Sequence, residues 1–161
     1  MISTKLLAIP LLAACAAVAQ PGAGFAVIGV AAVQTARINV INEAHAGRSA
    51  GDGELIFSCR VVLQFYGADG KLLKERAVED LGSGKIAFLD LTAADRPNTE
   101  IRTPIRAVAR FGYSGGANPP PGLIEGCKVL PSLEIFDSAT GKAEIVITEA
   151  RALPGASISV P

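Results

Sequence analysis

Alternating apolar residues near the middle of the chain constrain the fold more than any other feature of the sequence. The segment LIFSCRVVLQFY occupies residues 55–66, and every second position in it is apolar: Phe57, Cys59, Val61, Leu63 and Phe65. Side chains alternate between the two faces of a β-strand, so a period of two residues predicts a strand with one buried face. The same pattern places Cys59 on the side of the core.

Other short segments repeat this alternation and are separated by turn-forming residues. In QTARINVIN the apolar residues that share one face are Ala36, Ile38 and Val40. The loops 67–71 and 137–142 carry a glycine late, which is typical of hairpin turns that need a positive φ. Together with FAVIGV, KIAFLDL and RTPIRAVARFGY, these segments predict about eight short strands. The connecting segment LTAADRPNTE has room for one helical turn.

Strands of this length and spacing favour an all-β fold. We predict an antiparallel β-sandwich of immunoglobulin-like character, in which two sheets enclose one core. A small β-barrel is the alternative, because it uses the same alternation and the same turns. Pro104 lies inside one predicted strand and indicates an edge position or a bulge there, since proline cannot donate to the hydrogen-bond ladder.

The first 19 residues have the features of an export signal. An apolar run of 14 residues, 6–19, follows the positive charge of Lys5. A membrane-spanning helix needs about 20 apolar residues, so this run is too short to cross a bilayer, whereas it suits the core of a secretory signal. The run ends in Ala-Val-Ala, the small residues that signal peptidase accepts before Gln20. We therefore expect residues 1–19 to be a signal peptide and residues 20–161 to form one domain.

A second cleavage position competes with the first. Leu12-Ala13-Ala14-Cys15 looks like the lipobox of bacterial lipoproteins, in which the cysteine is lipidated and becomes the first residue. Both alternatives stay open, so the product is either free or anchored through a lipid on Cys15. Either one predicts a periplasmic or extracellular location, and lipidated Cys15 is the only membrane attachment that we expect.

Two further cysteines remain after cleavage at either position. An even pair in an oxidising compartment predicts a disulfide between Cys59 and Cys127. The competing interpretation is a pair of buried free thiols, because unpaired cysteine often packs as a small hydrophobic residue. We expect no metal site, since no other cysteine lies near either one and His45 is the only histidine.

Three segments carry a resemblance to known proteins: VQTARINVIN (33–42), CRVVLQFYGADGK (59–71) and SLEIFDSATGK (132–142). They resemble a set of small exported bacterial proteins without an assigned activity, and the resemblance covers most of the chain after the signal. It implies an exported single-domain sandwich with a cysteine pair. It offers no catalytic residues to transfer.

The sequence contains a serine-hydrolase motif, but the residues around it do not match those of the enzyme families that use this motif. Gly-Tyr-Ser-Gly-Gly matches G-x-S-x-G around Ser114, and His45 precedes it as in chymotrypsin-like proteases. The segment ANPPPG follows the motif where the α/β-hydrolase fold requires a helix, and Tyr113 stands where the proteases carry an aspartate. The chain is also too short for the two barrels of those proteases. We therefore assign no catalytic residue and keep a hydrolase that uses Ser114 and His45 as an alternative.

Three arginines form a row on one predicted strand. Arg102, Arg106 and Arg110 recur at four-residue spacing and so share a face. We expect them to pair with acids on neighbouring strands, for which the candidates are Glu134, Glu144 and Glu149. The alternative is a contact surface for an anionic glycan or a lipid head group.

The leading functional hypothesis is an exported, non-enzymatic structural or binding module of the bacterial envelope or the extracellular space. Its partner would be a protein or a glycan, contacted through loops 43–54 and 112–126, and no cofactor is expected. Basic and acidic residues number 15 each, so the chain lacks the basic character of a nucleic-acid-binding protein. A second alternative is a strand-exchanging subunit of a surface assembly, because open sheet edges invite such pairing.

Overall fold

The structure is a computed structural model, and the residues that it describes are 22–43, 47–48, 54–55, 58–96, 102–113, 127–148 and 151–152. The expected signal peptide with Cys15 lies outside these residues, as do His45, Ser114 and Glu149. Most of both expected contact loops also lies outside them.

Strands account for nearly all of the regular structure in the described ranges. Their bounds are β1 (Gly22–Gly24), β2 (Ile28–Ala31), β3 (Gln34–Asn42), β4 (Gly47–Arg48), β5 (Glu54–Leu55), β6 (Cys59–Gly67), β7 (Leu72–Leu81), β8 (Ile86–Leu91), β9 (Arg102–Tyr113), β10 (Val129–Asp137), β11 (Ala143–Ile147) and β12 (Arg151–Ala152). A single 3₁₀ turn, Ala93–Asp95, occupies the segment in which one helical turn was expected.

Two antiparallel sheets pack face to face, which confirms the predicted β-sandwich. Sheet I has the order β12-β1-β9-β6-β7, and β2 pairs with β9 beyond the end of β1. Sheet II has the order β11-β10-β3-β8, and β4 with β5 forms a separate two-stranded ladder. Each main sheet is open at both ends, so the barrel alternative is not the fold that forms.

The buried faces are those that the alternation predicts. Cys59, Val61, Leu63 and Phe65 of β6 are fully buried, and they face the likewise buried Ala36, Ile38 and Val40 of β3 across the core. Burial of each large apolar side chain stabilises the fold by about 1.5–3 kcal/mol. The periodicity of two strands thus sets the inner faces of both sheets.

Turn residues end the strands where the sequence indicates. Gly70 and Gly141 adopt φ of 78° and 70° in the two predicted hairpin loops, the left-handed conformation that glycine adopts without strain. Pro104 pairs with Gly29 of β2, and the pairing of β9 with β6 ends one residue later at Ile105. The proline therefore lies where β9 has a neighbour on one side only, as expected for a residue without an N–H donor.

Candidate functional site

A disulfide fixes one end of the sandwich. Cys59 opens β6 in sheet I, Cys127 lies just before β10 in sheet II, and their Cα atoms are 5.4 Å apart. The structure joins the two sulfur atoms, as predicted for the cysteine pair that remains when Cys15 is set aside. The bond links the two sheets across the core and so gives both outer faces a rigid support.

The arginine row lies on the outer face of sheet I. Arg102, Arg106 and Arg110 alternate along β9 with residues that point into the core, such as Ile105 and Ala109. Because a strand rises about 3.3 Å per residue, the Cα atoms of successive arginines in the row lie about 13 Å apart along the strand. The row therefore extends over most of the length of this sheet.

Two of the three expected acidic partners lie elsewhere, so the predicted pairing of the row with Glu134 and Glu144 is wrong, while Glu149 lies outside the described residues. Glu134 and Glu144 belong to β10 and β11, which are strands of sheet II. The chain crosses from one sheet to the other between β9 and β10. β9 and β10 follow one another in sequence but are therefore not neighbours in a sheet, and Glu134 and Glu144 belong to the opposite layer.

Small and neutral residues flank the row instead. On one side, Arg110 pairs with Gly22 of β1, and Pro104 pairs with Gly29 of β2. A Cβ placed on Gly29 would lie 3.6 Å from Cβ and Cδ of Arg102, so the stem of that arginine passes over the glycine. Neither glycine offers a charged partner to the row, and Gly22 is itself buried.

On the other side, β6 contributes an aromatic ring and an amide. The guanidinium of Arg106 lies 5.3 Å from the centre of the Tyr66 ring, within the range of a cation–π contact. Gln64 Oε1 accepts hydrogen bonds from Tyr66 Oη at 3.0 Å and from Arg110 Nε at 3.3 Å. Gln64 Nε2 donates to Glu75 Oε2 at 2.6 Å, which fixes the orientation of the amide. These contacts orient two of the three arginines without neutralising their charge.

The charges of the row are thus available to a ligand. Among the residues that the structure describes, no carboxylate lies within ion-pair distance of Arg102, Arg106 or Arg110. The neighbouring Arg60 on the same face is different, because its Nε lies 2.7 Å from Glu79 Oε2 and that hydrogen bond raises the pKa of the guanidinium. On the outer face of sheet I, Arg60 is therefore neutralised, whereas Arg102, Arg106 and Arg110 have no ionic partner in this part of the chain.

The outer face of sheet II contains an arginine whose charge is already neutralised. Arg37 donates to both carboxylate oxygens of Asp90, at 2.6 and 2.7 Å, and these bonds raise the pKa of Arg37. Its guanidinium also lies 4.5 Å from the Phe88 ring and 5.1 Å from the Phe136 ring. Because the carboxylate of Asp90 already neutralises the charge of Arg37, this arginine offers much less to an anion than the row on sheet I does.

Sequence reasoning missed one further arginine of structural importance, Arg96. Arg96 donates to the main-chain oxygens of Val30, Ala31 and Gln34 at 2.8–3.0 Å, around the corner where the chain passes from sheet I to sheet II. Burial lowers the pKa of its guanidinium. Only the loop position of Arg96 was visible in the sequence, because its acceptors are carbonyls that every residue carries.

Within the described residues, no three His, Cys, Asp or Glu side chains come together as metal ligands would. No helix in that part of the chain has the length and apolar character to span a bilayer. Comparison with protein-family models, with curated proteins and with solved structures found no match.

Proposed function

We propose that this chain is an exported, non-catalytic binding module and that the outer face of sheet I binds an extended anionic glycan. The observation that carries the proposal is the row Arg102, Arg106 and Arg110 on a central strand, without an ionic partner among the described residues. Arginines without ionic partners on a rigid sheet form a preformed binding site for anions, because the planar guanidinium donates two parallel hydrogen bonds to a carboxylate or phosphate group.

The spacing of the row favours a polymer over a small anion. Three arginines whose Cα atoms are spaced about 13 Å apart cannot all contact one compact ligand. An extended chain with repeated negative charges can contact each of them in turn.

The proposed location agrees with this ligand class. A disulfide between Cys59 and Cys127 is compatible with an oxidising compartment outside the cytoplasm. The signal peptide at residues 1–19, or a lipid on Cys15, would place the domain in the periplasm or at the cell exterior. Acidic polysaccharides are exposed to proteins in both places.

A binding experiment with matched charge variants tests the proposal. The probe is polygalacturonate, a linear carboxylated polysaccharide, with uncharged dextran as the blank. We expect the protein to bind polygalacturonate at about 50 mM NaCl and much more weakly at about 500 mM, because salt screens exposed charges. Replacing Arg102, Arg106 and Arg110 together by Gln should weaken binding by about tenfold or more.

The control variant loses the same charge elsewhere. Lys71, Lys85 and Lys142 are exposed at strand ends, and replacing all three by Gln should change the affinity by less than about twofold. Equal losses in the two triple variants would contradict a role for the row. Binding to phosphatidylglycerol vesicles but not to polygalacturonate would assign the same arginines to a lipid surface and overturn the glycan proposal.

A further inference from the structure

Open sheet edges expose unpaired main-chain groups, and proteins generally protect them against pairing with other chains. In sheet I, the edge strand β7 carries a run of charges: Lys74, Glu75, Arg76, Glu79 and Asp80. β12, at the opposite edge, has two residues. Both are standard forms of protection, so sheet I offers no suitable edge in the part described.

Arginine side chains protect two further edges. Arg96 donates to the main-chain oxygens of Val30 and Ala31 along β2. Arg76 Nη1 donates to the main-chain oxygen of Phe88 at 2.8 Å, along the edge strand β8 of sheet II. A carbonyl that already accepts from an arginine is less available to a second chain.

β11, the other edge of sheet II, lacks these protections. Its sequence AEIVI contains one charge and no proline, and it ends in three consecutive β-branched residues. Ile145 and Val146 point to opposite sides of the strand, and they are 40% and 56% exposed. The single charge is engaged within the subunit, because Glu144 accepts a hydrogen bond from Gln34 Nε2. No described strand pairs with the outer side of β11.

We propose that β11 is a self-association edge, along which two copies of this chain pair antiparallel about a twofold axis. The pairing joins two four-stranded sheets into one continuous sheet. It satisfies the outward main-chain groups of both strands and covers apolar side chains on both faces. The partner is a second copy because the strand is complementary to itself.

Charge decides this self-complementarity. Pairing centred on Val146 places Ile145 opposite Ile147 of the second copy and Glu144 opposite Thr148, so no like charges meet. Cross-strand pairs of β-branched residues stabilise a sheet, whereas like charges directly opposite destabilise it. The same operation on the other long edge fails, since pairing β7 about Arg76 sets that arginine against itself. Pairing β7 about Ala77 sets Glu75 against Glu79.

Sedimentation of the exported, processed and oxidised chain tests the proposal. We expect the mass to rise from monomer towards dimer as the protein concentration increases to about 200 µM. Val146→Lys places a charge on the exposed edge and should keep the protein monomeric over that range. Ile86→Lys is the matched control, because Ile86 is 64% exposed on the outer face of sheet II but lies on β8. That variant should still form dimers.

Folding is checked separately from association. Both lysine variants should keep the strand signal in circular dichroism and a wild-type urea midpoint at low concentration, since both sites are exposed. A wild-type protein that stays monomeric at the highest concentration would overturn the proposal. The protein would also stay monomeric if β11 paired only with a different protein, so that case counts against self-association as well. Loss of dimers in both lysine variants alike would also overturn it. Glycan binding by the arginine row is measured independently and does not depend on this outcome.

Discussion

Arg96 donates hydrogen bonds to the main-chain carbonyls of Val30, Ala31 and Gln34, among others, while only 8% of the residue is exposed. These three carbonyls belong to residues 30–34, where the chain leaves β2 and enters β3. Removal of a buried donor leaves its acceptors desolvated and unpaired, which costs more than the bond contributes net. Arg96 therefore holds the corner between the sheets through hydrogen bonds to neutral groups.

The consequence is measurable by urea unfolding. Arg96→Met keeps much of the aliphatic volume but removes every donor, and we expect it to lower the free energy of unfolding by about 2–4 kcal/mol. Arg60→Met is the control, because its pair with Glu79 is solvent-exposed and its loss should shift the urea midpoint far less than Arg96→Met does. Similar losses in both variants would show that Arg96 is no more important than a surface arginine.

Protonation of Asp137 at acidic pH should destabilise the hairpin formed by β10 and β11. The main-chain N–H of Thr140, the Thr140 hydroxyl and the N–H of Ala139 donate to its carboxylate and hold its pKa below the ordinary value of 3.8. A carboxyl with a lowered pKa in the fold stabilises the protein above its unfolded pKa. That stabilisation disappears as the pH falls through the lowered value.

We therefore expect the free energy of unfolding to decline as the pH drops below 3.8. In Asp137→Asn the amide oxygen accepts similar hydrogen bonds but does not titrate, so the decline should be shallower in this variant. Urea midpoints measured between about pH 6 and about pH 2.5 compare the two slopes. Identical slopes would contradict a contribution from Asp137.

Strands β6 and β10 are connected through the disulfide at their beginnings, and this connection should dominate the stability of the end it closes. The cysteines are separated by 68 positions, so the bond restricts a long loop of the unfolded chain. Loop-closure entropy predicts that replacing both cysteines by Ala lowers the free energy of unfolding by about 4 kcal/mol. Urea unfolding with and without reductant measures this directly, and unchanged midpoints after reduction would contradict it.

Elements with strong local patterns were predictable from sequence. The alternation in β3 and β6 gave their buried faces, because one residue period decides which side chains enter the core. The positions of Gly70 and Gly141 predicted the two hairpin loops, because a positive φ is a conformation that single glycine residues adopt without strain. The cysteine pair followed from its even number and the expected export signal.

The arrangement of the strands was not predictable in the same way. We expected the acids of the C-terminal hairpin beside β9, but β10 and β11 lie in sheet II. Strand pairing over long sequence separations leaves no local pattern, so the order β1-β9-β6 was not visible. The protective role of Arg96 was equally hidden, since its acceptors are main-chain atoms. The arginine row itself was found, and its surroundings required the structure.

For the molecule as a whole, the first expectation is that the product lacks its N-terminal signal. Intact-mass measurement on protein from its native host should show a chain that begins at Gln20, or one that begins at a lipidated Cys15, and in both cases the mass deficit of a disulfide. The signal core is too short to remain as a membrane span. A full-length product with reduced Cys59 and Cys127 would contradict export.

The rigid sandwich then presents two unlike outer faces. On sheet I the arginines of β9 have no ionic partners among the described residues, and the adjacent β1 and β2 contribute glycines. On sheet II, Arg37 is already bound to Asp90. The difference in charge between the faces predicts that an anionic polymer binds one of them and not the other.

The location of binding tests this account most directly. Titration of isotope-labelled protein with polygalacturonate, followed by NMR, should shift the signals of β9, of its neighbours β1, β2 and β6, and of the Arg102, Arg106 and Arg110 side chains. Signals of β3, β8, β10 and β11 should stay in place. Shifts that cluster on sheet II, or no shifts under low-salt conditions, would contradict the claim that the arginine face of sheet I is the binding surface.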